Sequence, residues 1–166
     1  MFKLSILVAI SLSFIGCGVD KNLYPKAKMF QTVNEKDAIL VQQGKNKRYC
    51  SRCGMDLVKY YKTSHTATYN GKKYQYCSIH CLEEHLGEGI SLKNPNVVDI
   101  SSLKFIPVNV AYYVVGSKKR GTMSKVSKYA FSSLAEAKKF QLEFGGEIMN
   151  FNKTREKAIE DFKYYR

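Results

Sequence analysis

The sequence predicts an α+β protein of two similar ββαβ units in tandem, small mixed sheets each with one helix. Three observations predict it. First, Lys-Tyr-x-aromatic-[Cys/Ser]-Ser occurs twice, at Lys73–Ser78 and at Lys128–Ser133. Second, each copy follows a run rich in Tyr, Val and Thr, Leu57–Tyr69 and Val108–Gly116, residue types that suit a pleated, half-buried surface. Third, each copy ends in a serine placed as a helix N-cap, Ser78 or Ser133, with helical sequence beyond it. Repeats of this kind are read as duplicated supersecondary units.

Taken in order, the chain begins with the leader MFKLSILVAISLSFIGCGVD. Lys3 supplies a short positive region, and Leu4–Ile15 is apolar except for serines. A membrane-spanning helix needs roughly 20 apolar residues, so this stretch is too short to span. Residues 1–16 therefore read as a signal peptide. Phe14-Ile15-Gly16-Cys17 resembles a bacterial lipobox, which makes Cys17 the acylated first residue of a lipoprotein. Its place is the periplasmic face of a bacterial membrane, inner or outer. Residues 17–48 are polar and charged and read as a tether, with Ala38–Val41 as an added strand.

The first unit spans 49–101. Its hairpin turns at Asn70-Gly71, a pair suited to positive φ. A helix over Ser78–Leu86 follows, then an apolar strand at Val97–Ile100. The second unit spans 102–152. Its helix covers Ser133–Phe144, with Leu134, Ala137, Phe140, Gln141 and Phe144 at helical spacing, and stops at Gly145-Gly146. Glu147–Phe151 closes the unit as a strand. Residues 153–166 form a charged C-terminal tail, helical over Thr154–Tyr164, to which the sequence assigns no role.

A net charge of +13 is an electrostatic footprint of nucleic-acid binders. An exported lipoprotein does not meet nucleic acid, so that class is excluded. The lysines instead imply a solvated surface, or attraction to anionic headgroups or an acidic partner. No general base, activated nucleophile or phosphate-binding loop stands out, and the chain is read as not an enzyme.

Chemistry concentrates in Tyr49–Leu86, which holds four of five cysteines and all three histidines. Cys50-x-x-Cys53 precedes the first hairpin. Cys77, Cys81 and His85 are one helical turn apart, so they share a stripe. Four cysteines at this spacing suit a closed tetrahedral Zn(II) site. Outside the cytosol, disulfides compete for the same thiols. A thioredoxin-like dithiol fits poorly, because Gly54-Met55 and strands follow the second cysteine where a helix is needed. Cys53-Gly54-Met55 sets a thiolate and a thioether around one glycine, and soft donors of this kind favour Cu(I). Met55 could equally be a core methionine. His65, within a strand, and His80, expected on the solvent side of its helix, are weaker ligand candidates. Asp56 is placed as an outer hydrogen-bond acceptor.

Cys53-Gly54-Met55, Tyr76-Cys77-Ser78, Ala111–Ser117, Gly121-Thr122-Met123, Ala130-Phe131 and Gly145–Ile148, in this order, resemble the NosL family. Its members are lipoprotein copper chaperones of nitrous oxide reductase maturation. The resemblance covers roughly Tyr49–Phe151. It implies two ββαβ units, Cu(I) as cargo, and as partners a copper-receiving reductase and an ABC-type membrane maturation complex. Residue by residue, Cys53 and Met55 match the family's Cys-Gly-Met element and Met123 its later Gly-x-Met. These three are the primary candidate ligands. Cys50, Cys77, Cys81, His65 and His85 are secondary. Cys50 and Cys81 depart from the family's pattern and resemble the cysteine spacing of small metal-sensing TRASH-type domains.

Overall fold

The structure, a computed structural model, describes residues 29–163. The leader, the lipobox and Cys17 lie outside the described residues. Strands β1 (His65–Tyr69) and β2 (Lys72–Tyr76) form a hairpin. Asn70 and Gly71 at its tip have φ of 46° and 73°, the pair of positive angles that a tight primed turn requires. Helix α1 (Ile79–Leu86) follows, then β3 (Lys93–Val98) and β4 (Phe105–Pro107). The sheet order is β2-β1-β3-β4.

The second unit repeats this plan. Strands β5 (Tyr112–Val115) and β6 (Lys128–Phe131), helix α2 (Leu134–Phe144) and strand β7 (Glu147–Met149) form a sheet of order β6-β5-β7. Lys73 pairs with Thr68, and its counterpart Lys128 with Val115, so the repeated motif occupies the same register in both hairpins. The sheets were expected to be mixed, but every neighbouring pair of strands is antiparallel. In each unit the helix joins two strands that run the same way, and the first strand lies between them.

Three local differences from expectation have physical causes. Ala38–Val41 forms no strand. Its backbone is instead held by the buried side chain of Gln75, which accepts from Val41 N at 3.0 Å and donates to Ile39 O at 3.3 Å. The long run before β1 is broken by a 3₁₀ turn at Tyr61–Thr63. Ser78 and Ser133 stand at the N-caps, as expected, but neither side chain makes a capping hydrogen bond.

The last helix, α3 (Phe151–Lys163), starts earlier than Thr154 and packs on α1. Arg155 grips Glu83 on α1 with two hydrogen bonds, at 2.6 and 3.1 Å. Asp161 meets Lys128 of β6 at 2.5 Å, with both side chains buried. Helix α3 therefore ties the helix of the first unit to the sheet of the second. A bridge between Asp99 and Ala130, with Ile100 N donating to Ala130 O at 3.0 Å, joins the two sheets directly.

Candidate metal centre

The centre is built from a loop and a corner. The loop runs from Tyr49 to Asp56, residues that pair with each other and close it. Inside it Cys50 N donates to Met55 O at 2.8 Å and Gly54 N to Cys50 O at 3.0 Å. The tight return places Gly54 at φ 73°, a left-handed conformation that glycine adopts without cost. Ser51 N donates to Gln75 O at 3.0 Å, which fastens the loop to β2. The corner is the turn from β2 into α1. It presents Cys77, and Cys81 follows one turn later on the same helix face.

Loop and corner bring the four thiols together, all within 4.8 Å of one another. Cys53 Sγ lies 3.5 Å and Cys81 Sγ 3.8 Å from Cys77 Sγ, and Cys77 N donates to Cys50 Sγ at 3.3 Å. All four are free cysteines; Cys50, Cys77 and Cys81 are buried and Cys53 is exposed. Met55 adds a fifth sulfur, with its Sδ 3.8 Å from Cys77 Sγ. Met123 reaches the same apolar cluster from the loop between β5 and β6.

Crowding divides the protons unequally. Hydrogen bonds from Cys53, then Cys77 and Cys81, hold the Cys50 thiol well below the ordinary range. Hydrogen bonds with Cys50 and Cys53, reinforced by burial, push Cys77 upward, and the same two partners raise Cys81. The arrangement thus favours the thiolate at Cys50 and Cys53 and the thiol at Cys77 and Cys81. A soft cation can displace those protons and take the same sulfurs as thiolates.

The histidines do not join this cluster. His65 is enclosed: Nδ1 lies 3.0 Å from Thr63 O and Nε2 3.2 Å from Tyr113 Oη. A carbonyl only accepts, so Nδ1 carries the proton and Nε2 accepts from the tyrosine. Burial lowers its pKa to about 3. His85 Nδ1 pairs with Tyr76 Oη at 2.7 Å, among the rings of Tyr69, Tyr74 and Tyr76. His80, expected to face solvent, is buried at 3 % exposure and stacks on Phe162 of α3, ring centres 5.1 Å apart. The helix that covers it lies some 80 residues away in the chain, too far for α1's own pattern to reveal it. Asp56 accepts from Arg48 and from the N–H groups of Val58 and Lys59, so it organises the turn after the loop.

Two contributors carry no sequence signal. Thr63 Oγ1 donates to Cys77 O at 2.8 Å and lies 2.8 Å from Thr122 Oγ1, which connects the metal corner to the Met123 loop. Met29, in the segment read as tether, lines one cavity with Met55 and Met123.

The comparisons with known proteins agree with this geometry. The NosL family profile matches residues 41–159. Among solved structures, the copper chaperone NosL from Shewanella denitrificans aligns over 67 % of this chain and 92 % of its own, at 26 % identity and a TM-score of 0.53. No relative among curated proteins matches. A profile that spans the thiol loop, both ββαβ units and most of α3 shows that the chain belongs to the NosL family.

Proposed function

We propose that this protein is a membrane-anchored, extracytoplasmic Cu(I) chaperone that delivers copper to a cuproenzyme, nitrous oxide reductase, and is not itself an enzyme. The observation that carries the reading is the convergence of four thiols with the thioether of Met55, of which Cys53 alone is exposed. Thiolate and thioether sulfur select Cu(I) over harder ions. The kinship with a family that includes a copper chaperone supports the same assignment. Transfer proceeds by ligand exchange. An incoming sulfur or imidazole bonds to Cu(I), Cys53 leaves first because solvent reaches it, and the deeper thiolates follow. The lipobox at Cys17 supports anchoring, and the resemblance to the family supports an ABC-type maturation complex as second partner.

One observation favours Zn(II) in the same cluster, acting as a structural ion in a protein-binding module. A tetrahedral zinc–thiolate site with bonds of about 2.3 Å sets its sulfurs about 3.8 Å apart. The Cys77–Cys81 separation is 3.8 Å, although the Cys53–Cys77 separation is 3.5 Å.

Anaerobic titration with Cu(I) against bathocuproine disulfonate, repeated on the Zn(II)-loaded sample, separates the readings. Tight Cu(I) binding that expels zinc, weakened in Cys53→Ser and Met55→Leu, is expected. Zinc that copper cannot displace, or equal Cu(I) affinity in all three proteins, overturns the chaperone reading. Cys17→Ser is expected to move the protein from the membrane to the soluble fraction.

A further inference from the structure

The described residues begin at Met29, and the segment there is fixed from several sides. Phe30 packs edge-on against Tyr129, ring centres 5.1 Å apart, and against Phe140 of α2 at 5.9 Å. The amide of buried Gln31 donates to Arg120 O at 2.7 Å and to Gly121 O at 3.1 Å. Lys62 N donates to Gln31 O at 3.1 Å, and Thr32 Oγ1 to Lys59 O at 2.9 Å. Packing therefore sets the point at which the N-terminal segment joins the fold.

Cations ring this point. Lys62 Nζ stands 4.3 Å and Lys119 Nζ 5.0 Å from the centre of the Phe30 ring, and Lys119 also covers Phe144 at 3.9 Å. Arg120 and Lys125 line the cavity that holds Met29. The fold holds Lys59 and Arg120 by their carbonyls and leaves both residues exposed, and Lys125 is exposed as well. The ion pairs among the described residues use none of Lys59, Lys119, Arg120 and Lys125. Glu143 and Glu147, the carboxylates that flank Phe144 in sequence, do not bridge to them either. Counted from Cys17, the chain reaches Met29 in twelve residue steps, which span at most about 43 Å. A lipid at Cys17 therefore keeps this cationic face within that reach of the bilayer, whatever path the segment takes.

We infer that the surface around the chain entry, formed by Lys59, Lys62, Lys119, Arg120 and Lys125, docks on anionic phospholipid headgroups and orients the anchored protein on the membrane. The inference rests on the anchoring reading above. Each cationic side chain near an anionic bilayer strengthens association about fivefold. Salt screens the attraction, so the face orients a protein that lipid already holds and does not replace the anchor. Arg120 and Met29 share their cavity with Met55 of the thiol loop, so docking keeps the metal centre close to the headgroups.

Two measurements test this. In the first, the lipidated protein is reconstituted in vesicles of phosphatidylcholine alone or of an equal mixture with phosphatidylglycerol. Its lysines are acetylated with limiting reagent and read by mass spectrometry. Lys59, Lys119 and Lys125 are expected to react about fivefold more slowly on the mixed vesicles, and Lys73, on the hairpin edge of the first unit, at an unchanged rate. Equal rates on both vesicles overturn the proposal, and so does slowing of Lys73 by the same factor. In the second, unlipidated Cys17→Ser protein is sedimented with the mixed vesicles at low salt. Binding is expected, and it should fall about 100-fold when Lys119→Gln, Arg120→Gln and Lys125→Gln are combined, because three cations are lost. These changes keep the backbone hydrogen bonds of the loop. Absence of binding at low salt, or equal binding of the combined variant, overturns the face. If the wild-type chain carries no lipid while Cys17→Ser still binds through the three cations, the anchoring reading fails and the face stands. Lysines that stay reactive on both vesicles and become protected only by the purified copper-receiving reductase make the face a protein dock and overturn the lipid assignment.

Discussion

At the turn from second strand to helix, the first unit carries Cys77 and the second carries Ser132. The backbone plan is the same, and the surroundings are not. Cys77 is fully buried beneath the Tyr49–Asp56 loop with three other thiols. Ser132 is exposed, and its hydroxyl donates to Asp99 Oδ2 at 3.0 Å. One turn on, buried Cys81 corresponds to exposed Glu136. At the position of His85 the second unit has Phe140, which packs with Phe131 and Phe144, ring centres 5.2 and 4.8 Å away. The ββαβ unit thus offers a corner, and the added loop turns that corner into a metal centre. Without the loop, the second copy serves as an aromatic scaffold whose β5–β6 loop packs Met123 against the thiol cluster.

The largest test of this comparison exchanges the corner residues. Cys77→Ser removes the sulfur that touches Cys53, Cys81 and Met55. Cu(I) affinity is expected to fall about 100-fold or more, because a hard neutral oxygen replaces a soft anion. Ser132→Cys is expected to leave affinity unchanged, since one thiol without a loop is not a site. Competition titrations of both variants check this. A second tight Cu(I) site in Ser132→Cys would mean that the corner alone suffices.

Much of this comparison was legible in the sequence. The Lys73 and Lys128 motifs fix register and helix start, and they occupy matching positions in the two hairpins. The sequence left convergence of the thiols conditional on the sheet bringing Cys50-x-x-Cys53 close to Cys77 and Cys81, which share one helix face, and the structure brings the four together. Long-range contacts were not legible. His80 looks exposed until α3 is placed over it. Ala38–Val41 looks like a strand because nothing local shows that Gln75 takes its hydrogen bonds. Strand β4 is three residues long and ends in Pro107, too short and too irregular for a period to appear.

An effect on folding rather than on copper separates the two motif lysines. Lys73 is exposed at the hairpin edge, whereas Lys128 is buried against Asp161 of α3. Burial lowers the Lys128 pKa, and the hydrogen bond and charge of Asp161 oppose that shift. Removing one partner of a buried pair leaves the other charge uncompensated, so Asp161→Ala is expected to cost about 3–5 kcal/mol in urea unfolding. Lys73→Ala is expected to stay within about 0.5 kcal/mol. If the two variants are equally stable, α3 is not the clasp between units that the geometry describes.

The smallest effect is a pH dependence confined to the first unit. By register, β1 begins with His65, opposite Tyr76, and β5 begins with Tyr112, opposite Phe131. Tyr112 is exposed. His65 is fully enclosed, its Nδ1 proton spent on Thr63 O and its Nε2 accepting from Tyr113. A second proton on the ring would remove that acceptor and leave a charge in the core. Burial accordingly lowers its pKa to about 3, from an ordinary value of 6.5. Between those values the unfolded chain binds a proton that the folded chain refuses, so stability falls as pH drops below 6.5 and the loss levels off near 3. One unit below 6.5, at about pH 5.5, the expected contribution is about 1.4 kcal/mol. Urea unfolding of wild type and His65→Gln across pH 4–7 isolates this contribution, because every other titrating group is common to both. The wild-type curve should fall more steeply toward acid. Parallel curves down to pH 4 would mean that His65 takes up its proton in the folded state and that this strand is no more acid-sensitive than its counterpart.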